Sequence, residues 1–264
     1  MIRIEDTHLT VFQSSLFQTN AAIIHTDDVM IVADPTWLPH EIEAIKAYVN
    51  ERLGHRELYV IYTHSDFDHI IGSGVFPKAT VIATEELAKN PDKEEAMKQI
   101  RSFDQQYYVE RLYEPAYPSV DIPITHDGQS VQLGDIKATF YKAPGHTHDG
   151  LFTVIETLGI FLSGDYLSDV EFPFIYSSYK DYKDTVRKAS QIVKNHDISY
   201  HVPGHGTVTA VKQEIEERIT FSHYYLEHLL DDNDELEKLC REKFRFYEGM
   251  HESHLHNKKM AEMK

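Results

Sequence analysis

The feature that most constrains this sequence is an apolar run at residues 58–62 that leads directly into a cluster of potential metal ligands. A short apolar run of this kind predicts a buried β-strand. Four imidazole or carboxylate side chains follow it within six positions, namely His64, Asp66, Asp68 and His69. Such groups bind borderline and hard divalent ions, and sites in α/β sheets form at the carboxyl ends of strands. The segment therefore predicts a metal site at the end of a central strand.

The orientation of these four side chains depends on the local backbone. In an extended chain, the side chains at 64, 66 and 68 point to one side and that of His69 points elsewhere, so that one segment serves two neighbouring ions. The alternative is that Asp68 caps a short helix at 69–76 and the histidines are polar loop residues. Four such residues within six positions are more than capping requires, which favours the metal site.

Composition and charge limit the classes of partner. The chain has 264 residues, of which 41% are hydrophobic and 26% charged, as in soluble globular proteins. A formal charge of -17 argues against a nucleic-acid or anionic-membrane partner, because phosphate binding needs clustered Lys and Arg. The single cysteine, Cys240, excludes an internal disulfide framework. With no signal-like or membrane-length apolar segment, a cytoplasmic location is the expectation.

Periodicity predicts two β-meanders separated and followed by helices. Strands are expected at 9–13, 20–25 and 29–33, then, after the central strand, at 80–83, 123–126, 130–133, 136–143, 151–155, 160–163 and 200–202. Helices are expected at 39–53, 93–113, 181–195 and 208–247. The absence of repeats or linker-like stretches favours one domain over 1–264, with a helical insertion at about 90–118 and C-terminal helices at about 208–247.

Several polar residues outside the cluster have two interpretations. Asp34 precedes Pro35 and is expected to cap a turn rather than lie near a metal. The histidines of the C-terminal tail, His251, His254 and His256, lie among Glu and Lys and are expected to be solvated. Tyrosine-rich segments at 107–117 and 166–182 either line a substrate pocket or pack as ordinary core.

Three further candidate ligands lie at predicted strand ends, each preceded by a glycine. They are His146, Asp165 and His205. A glycine at such a position allows close backbone approach and conformations that other residues avoid. His148 is either a hydrogen-bond partner of this group or a surface residue.

The order of these motifs resembles the metallo-β-lactamase-fold superfamily. The motifs are His64-Ser-Asp66-Phe-Asp68-His69, Gly145-His146-Thr147, Gly164-Asp165 and Gly204-His205-Gly206. The resemblance spans most of the chain, from Asn20 to His205. It implies an α/β (α+β) fold, a four-layer αββα sandwich of two mixed β-sheets flanked by helices.

The resemblance also implies a site with two divalent ions. One ion would be held by His64, Asp66 and His146 and the other by Asp68, His69 and His205. Asp165 would bridge them. The catalytic residues implied are Asp165, through the bridge, and Asp68, which would also pass a proton to the leaving group.

One residue departs from the commonest family pattern. Asp66 stands where that pattern has histidine, as an acidic residue does in the flavodiiron branch of the superfamily. A carboxylate is a harder ligand than imidazole, so zinc remains the default while iron or manganese becomes compatible. The flavodiiron branch also carries a flavodoxin-like domain, for which this chain is too short.

The functional expectation is a dinuclear metal-dependent hydrolase with a small-molecule substrate: an ester, thioester, lactone or phosphodiester. The alternatives are a diiron oxidoreductase of the same fold and a non-catalytic metal-binding protein. A β-lactamase proper is disfavoured, since those enzymes are exported. The sequence leaves the substrate and the oligomeric state open.

Overall fold

Two β-sheets packed face to face organise the chain, and the computed structural model describes them within residues 1–263. The first sheet has seven strands in chain order: β1 Ile2–Glu5, β2 Leu9–Gln13, β3 Asn20–His25, β4 Val29–Ala33, β5 Glu57–Ile61, β6 Thr80–Thr84 and β7 Ile122–Ile124. Its first four strands pair antiparallel, and β4 to β7 pair parallel. The sheet is therefore mixed.

The second sheet has five strands: β8 Gln129–Leu133, β9 Ile136–Lys142, β10 Leu151–Ile155, β11 Ile160–Leu162 and β12 Tyr200–Val202. Their spatial order is β12-β11-β10-β9-β8, with β11 and β12 parallel and the other pairs antiparallel. The helices are α1 Pro39–Leu53, α2 Phe67–Ile70, α3 Glu85–Lys89, α4 Lys93–Tyr107, α5 Tyr179–Asn195, α6 Lys212–His228, α7 Glu235–Lys243 and α8 Tyr247–Glu262.

Three apolar layers hold this architecture together. Side chains from both sheets, such as Ile31 and Phe140, form the layer between them. The outer face of the first sheet packs against α1 through residues such as Ile45. The outer face of the second sheet packs against α5 to α8, with Val186 and Leu226 among the buried residues. Burial on both sides of each sheet confirms the predicted αββα sandwich.

The predicted elements agree closely with those observed, with three exceptions in the first half of the chain, one of which is the short helix α3, which was not predicted. The strands at 9–13, 20–25 and 29–33 and the helix at 39–53 have the predicted bounds. Strand β1 was not predicted, because its alternating Ile and charged residues leave it largely exposed at the sheet edge. The helix predicted at 93–113 ends at Tyr107, because Tyr108 takes a left-handed conformation with φ 54°. The chain then reverses, and Arg111 pairs with Asp104 of α4.

The C-terminal prediction was wrong in two respects. The helical region continues to Glu262, and a loop rather than a helix precedes Lys212. The expected solvation of the tail histidines was also wrong for His254, which is fully buried, whereas His256 is exposed as expected. The buried residues of α8 recur at helical spacing, but two of them, His254 and Asn257, are polar. The apolar stripe that would indicate a buried helix face is therefore interrupted in the sequence. The buried residues are Tyr247, Met250, His254, Asn257 and Ala261.

The buried His254 makes a testable contribution to acid sensitivity. Burial lowers the pKa of its imidazole from 6.5 to about 4, and nearby Lys258 acts in the same direction. The folded protein thus binds this proton more weakly than the unfolded chain does, and stability is lost as the pH falls below 6.5. We expect the free energy of unfolding to drop by about 2 kcal/mol between pH 7 and pH 5 from this residue.

The measurement is urea unfolding at both pH values for the native chain and for His254→Gln. Glutamine does not titrate and can still accept the hydrogen bond that the Tyr225 hydroxyl gives to Nδ1. The variant should therefore lose less stability on acidification. Equal losses would show that His254 does not carry the effect.

Among the described residues, no helix combines the length and apolar character needed to cross a membrane.

Candidate metal centre

Four separate segments meet at one end of the sandwich. Residues 64–69 follow β5, His146 follows β9, Asp165 follows β11 and His205 follows β12. All the side chains predicted as ligands are brought together there and are buried or partly buried. The convergence follows from topology, because each segment leaves the carboxyl end of its strand.

The side chains fall into two groups. In the first, the ligand atoms of His64, Asp66, His146 and Asp165 lie within 4.8 Å of one another. The second group consists of Asp68, His69 and His205, whose ligand atoms also lie within 4.8 Å of one another.

Asp165 lies between the two groups. Its Oδ2 is 3.3 Å from the Nε2 atoms of His146 and His205, and its Oδ1 is 3.0 Å from His69 Nε2. One carboxylate thus contacts both sets of imidazoles. This is the arrangement that a bridging ligand between two ions requires.

The expected orientation of the cluster was wrong in detail. Helix α2 begins at Phe67, so the chain is not extended beyond Asp66. Asp68 therefore faces the same group as His69 rather than that of His64. The alternative of a short helix was correct in kind, but its N-cap position is Asp66 and not Asp68. One segment nevertheless contributes to both groups.

The imidazoles of His146 and His205 are oriented by backbone carbonyls. His146 Nδ1 lies 2.8 Å from the carbonyl oxygen of Phe174, and His205 Nδ1 lies 3.1 Å from that of Phe17. A carbonyl only accepts, so each Nδ1 carries the proton and donates. In the neutral ring, the lone pair is then on Nε2, which points into the centre.

Asp34 orients the other two histidines. It accepts hydrogen bonds from His69 Nδ1, at 3.0 Å, and from the hydroxyl and backbone N–H of Thr63. Because the Thr63 hydroxyl donates to Asp34, it can accept from His64 Nδ1 at 3.0 Å. Both rings therefore also present Nε2 inward. Asp34 is a buried partner of the candidate ligand histidines, and its expected role as a turn cap was wrong.

Two glycines permit the close packing around these side chains. Gly145 has φ +127°, and a Cβ there would lie 2.3 Å from the Cα of Tyr182. A Cβ on Gly204 would lie 2.2 Å from Asp165 Oδ1. Any side chain at these positions would displace α5 or the central carboxylate, so glycine is required beside His146 and His205.

The electrostatics of the centre favour positive charge. Burial raises the pKa of Asp165, but the imidazoles of His205, His69 and His64 outweigh it and hold that pKa well below its ordinary value. Burial opposes protonation of His146, yet hydrogen bonds to Asp165 and Asp66 raise its pKa to about 10. The carboxylates likewise raise the pKa of His69 and His205 against burial. The field that retains protons here also attracts metal cations.

The chemistry of the donor set fits divalent ions. Four imidazole Nε2 atoms and three carboxylates converge, and His64 Nε2 and Asp165 Oδ1 are buried without a hydrogen-bond partner among the described residues. Buried polar atoms are ordinarily paired, and a cation would satisfy both. The ligand roles themselves stay predictions.

Comparison with known proteins agrees with this geometry. Residues 15–205 match the family model of the metallo-beta-lactamase superfamily. The chain belongs to the metallo-β-lactamase superfamily. A search of curated proteins finds no match to this sequence.

Solved structures of the superfamily share the fold. A metallo-beta-lactamase from Pontibacter korlensis is 13% identical, with a TM-score of 0.61 over 86% of this chain and 98% of that one. A family protein from Thermus thermophilus is 21% identical, with a TM-score of 0.61 over 84% and 81%. A superfamily protein from Sulfolobus tokodaii is 17% identical, with a TM-score of 0.55 over 87% and 89%. At these identities the likeness establishes the fold alone.

In this superfamily chain, His148 is exposed and outside both groups of potential ligands, so the alternative of a surface residue is correct. Glu171, which sequence reasoning missed, lies 4.0 Å from His205 Nδ1. Burial, with help from the carboxylates of Asp165 and Asp68, raises the pKa of Glu171 to about 6. The signal available in the sequence was a carboxylate directly before the aromatic residues Phe172 and Phe174.

The tyrosine-rich segments divide between pocket and core. Tyr107 and Tyr176 line the cleft beside the centre. Tyr113 and Tyr117 instead donate hydrogen bonds to the backbone carbonyls of other segments, and Tyr182 is buried against α6 to α8. Both interpretations of these segments were therefore correct for part of their residues.

Proposed function

We propose that this protein is a dinuclear metal-dependent hydrolase that acts on a small ester, thioester, lactone or phosphodiester. The observation that carries the proposal is the common orientation of four imidazoles, each with Nδ1 bound to an oxygen and Nε2 directed at the same carboxylates. Histidines oriented in this way are typical of metal ligands. Membership of a superfamily composed mostly of metal-dependent hydrolases supports the same function.

The chain's residues have distinct parts in this proposal. One ion would be held by His64, Asp66 and His146, and the other by Asp68, His69 and His205. Asp165 would bind both ions. When bound, two such ions supply a hydroxide nucleophile near neutral pH and stabilise the negative charge that develops on the substrate oxygen. Asp68 lines the cleft, where its carboxylate can transfer a proton to the leaving group.

Metal content of the purified protein, measured by mass spectrometry, is the first test. About two equivalents of zinc or manganese, with turnover in an ester, lactone and phosphodiester panel, would support the proposal. Absence of metal after reconstitution with zinc, manganese and iron would contradict it. Stoichiometric metal without turnover of any substrate would favour a non-catalytic protein. Loss of a measurable turnover in a folded His146→Ala variant would contradict that alternative.

A second candidate function rests on Asp66. Its Oδ2 lies 3.2 Å from His146 Nε2, so a carboxylate takes part in the first group. Carboxylate-rich sites suit iron, which supports a diiron oxidoreductase that uses an external electron donor. About two equivalents of iron with oxygen consumption would favour this candidate, whereas hydrolysis with zinc or manganese would oppose it.

Asp34 mainly tests the second group, because it contacts His69 directly and His64 of the first group only through the Thr63 hydroxyl, and its replacement leaves the candidate ligands in place. Asp34→Asn retains size but removes the charge that His69 Nδ1 and the Thr63 hydroxyl share. We expect the affinity for one of the two ions to fall by about 10- to 100-fold, as is typical when a partner of a ligand histidine is lost. Competition with a chelator measures the loss.

Asp27→Asn, at an exposed aspartate, is the matched control. Its metal affinities should equal those of the native protein. Unchanged affinity in Asp34→Asn would mean that Asp34 does not support a metal ligand.

A further inference from the structure

A cleft of about 850 Å³ opens onto the metal centre. Its floor includes Asp66, Asp68, Asp165 and the imidazoles of His146 and His205. Helix α4 and the start of α8 supply much of the remaining lining. The volume lies within the range of sites that enclose small ligands.

One side of this cleft is a continuous layer of aromatic rings. The Trp37 ring lies 5.9 Å from that of Phe17, 5.5 Å from Phe67 and 5.6 Å from Phe103. Phe246, just before α8, extends the layer to 6.1 Å from Phe17. We call these five residues the aromatic wall. They come from distant segments of the chain, so the wall is a feature of the fold and not of one apolar stretch.

The rim of the cleft exposes unusually large apolar groups. Phe17, Tyr107 and Phe246 are 51%, 59% and 56% exposed, respectively. Tyr107 adjoins the aromatic wall, with its ring 4.9 Å from that of Phe103. Contiguous exposed rings next to a cavity indicate a surface that an apolar group covers during function.

The charge of the cleft restricts what that group can carry. Among the described residues that line it, the charged ones are Asp66, Asp68, Asp165 and Glu171, with no Lys or Arg. Their four negative charges equal the four positive charges of two divalent ions. No surplus positive charge is left to pair with an anionic substituent of a substrate, and the net charge of -17 adds to the repulsion.

We propose that the cleft binds an uncharged acyl ester or lactone, with its carbonyl at the metal centre and its alkyl or aryl group on the aromatic wall. Phosphodiesters and esters bearing a carboxylate are rejected. This inference rests on the proposed hydrolase function and narrows its substrate. In the reaction, the acyl C–O bond breaks, the hydroxyl of water joins the acyl carbon, and the water's other proton passes to the departing alkoxide.

The first experiment varies chain length and charge on the metal-loaded full chain. In 4-nitrophenyl esters from acetate to octanoate, kcat/KM should rise by about fourfold per CH₂ until the wall is covered. 4-Nitrophenyl succinate and its methyl ester differ in charge and by one methyl group. The methyl ester should be preferred by about tenfold or more, which exceeds the roughly fourfold that one added carbon contributes. A flat chain-length series, or a preference for the methyl ester of only about fourfold or less, would overturn the inference.

Substitutions in the cleft test the same point. Phe246→Ala should lower kcat/KM for the octanoate by about tenfold more than for the acetate, because both esters carry the same 4-nitrophenyl group and only the octanoate has a long acyl chain to place on the wall. Leu112→Ala, at a residue 81% exposed and outside the cleft, should change neither. Gln106→Lys adds a cation to the lining and should reduce the preference for the succinate methyl ester by about fivefold. Phe246→Ala effects that are equal for both esters would contradict a role for the wall.

Binding without turnover separates this inference from the hydrolase proposal. Trp37 is the single tryptophan of the chain and belongs to the aromatic wall, so its fluorescence reports occupancy of the cleft. In the metal-free protein, N-(4-nitrophenyl)octanamide and the methyl ester of N-(4-nitrophenyl)succinamic acid should quench this fluorescence, and the charged N-(4-nitrophenyl)succinamic acid should not. Equal quenching would overturn the inference. Selective quenching with no ester hydrolysed under any metal would support the ligand class and overturn the hydrolase function.

Discussion

Asp165→Asn is expected to abolish hydrolysis while the protein remains folded. Asp165 contacts His69, His146 and His205 at 3.0 to 3.3 Å, so its carboxylate is shared by both groups of potential ligands. An amide of the same size cannot supply the negative charge that bridges two cations. We expect bound metal to fall from about two equivalents to one or fewer. Turnover should fall by more than about 10³-fold, since loss of a single electrostatic partner in an active site can already cost that much.

The control is Asp232→Asn, which changes an exposed aspartate between α6 and α7. Metal content, turnover and unfolding should match those of the native chain. Circular dichroism checks that Asp165→Asn is folded. If that variant retained two equivalents of metal and native turnover, the bridging role would be wrong.

The sequence predicted the fold well because its strongest signals are local. Apolar runs bounded by turn residues fixed the strands at 9–13, 20–25 and 29–33. Motif order then identified the family, since each candidate ligand follows a strand end. Periodicity contains no information on how polar residues pair across the fold, and this is where prediction failed.

Asp34 illustrates that limit. Next to a proline it has the local pattern of a turn residue, and its contact with His69 joins positions 35 residues apart. The buried partners of a ligand are set by tertiary packing, which a single sequence does not reveal. The predicted orientation of Asp68 was wrong for a related reason. Helix α2 begins at Phe67, one residue before Asp68, and turns the Asp68 side chain towards the group that contains His69.

The aromatic wall has the same origin. Its five rings are unremarkable in sequence because each belongs to an ordinary amphipathic or loop segment. Only the folded chain brings Phe103 of α4 near Trp37, and Phe246, between α7 and α8, near Phe17. Four of these five rings thus lie outside the metal-ligand motifs, and Phe67 alone lies within one.

Asn257 connects the C-terminal helix to the metal centre. Its side-chain amide donates to the backbone carbonyl of Pro173 and accepts from the backbone N–H of Ile175. Between these two anchors lies Phe174, whose carbonyl accepts the hydrogen bond from His146 Nδ1. The fully buried Asn257 therefore fixes the backbone that orients His146, a candidate metal ligand.

Asn257→Leu is expected to weaken both folding and metal binding. Leucine has a similar volume but leaves the buried polar groups of Pro173 and Ile175 without partners. Each unsatisfied group costs about 1 to 3 kcal/mol, so we expect the free energy of unfolding to fall by about 3 to 5 kcal/mol. With the Phe174 carbonyl less firmly held, affinity for one ion should fall by about tenfold or more. Urea unfolding and chelator competition measure the two effects.

A stability-matched variant separates positioning from general destabilisation. Leu236 is buried in the same helical layer, and Leu236→Ala should cost a comparable amount, about 2 to 5 kcal/mol, with no hydrogen bond to residues 173–175 removed. Lys259→Ala, at an exposed position of α8, should change neither quantity. Under conditions where all the variants are folded, only Asn257→Leu should show weaker metal binding. Equal metal affinity in Asn257→Leu and Leu236→Ala would mean that α8 stabilises the fold without orienting His146.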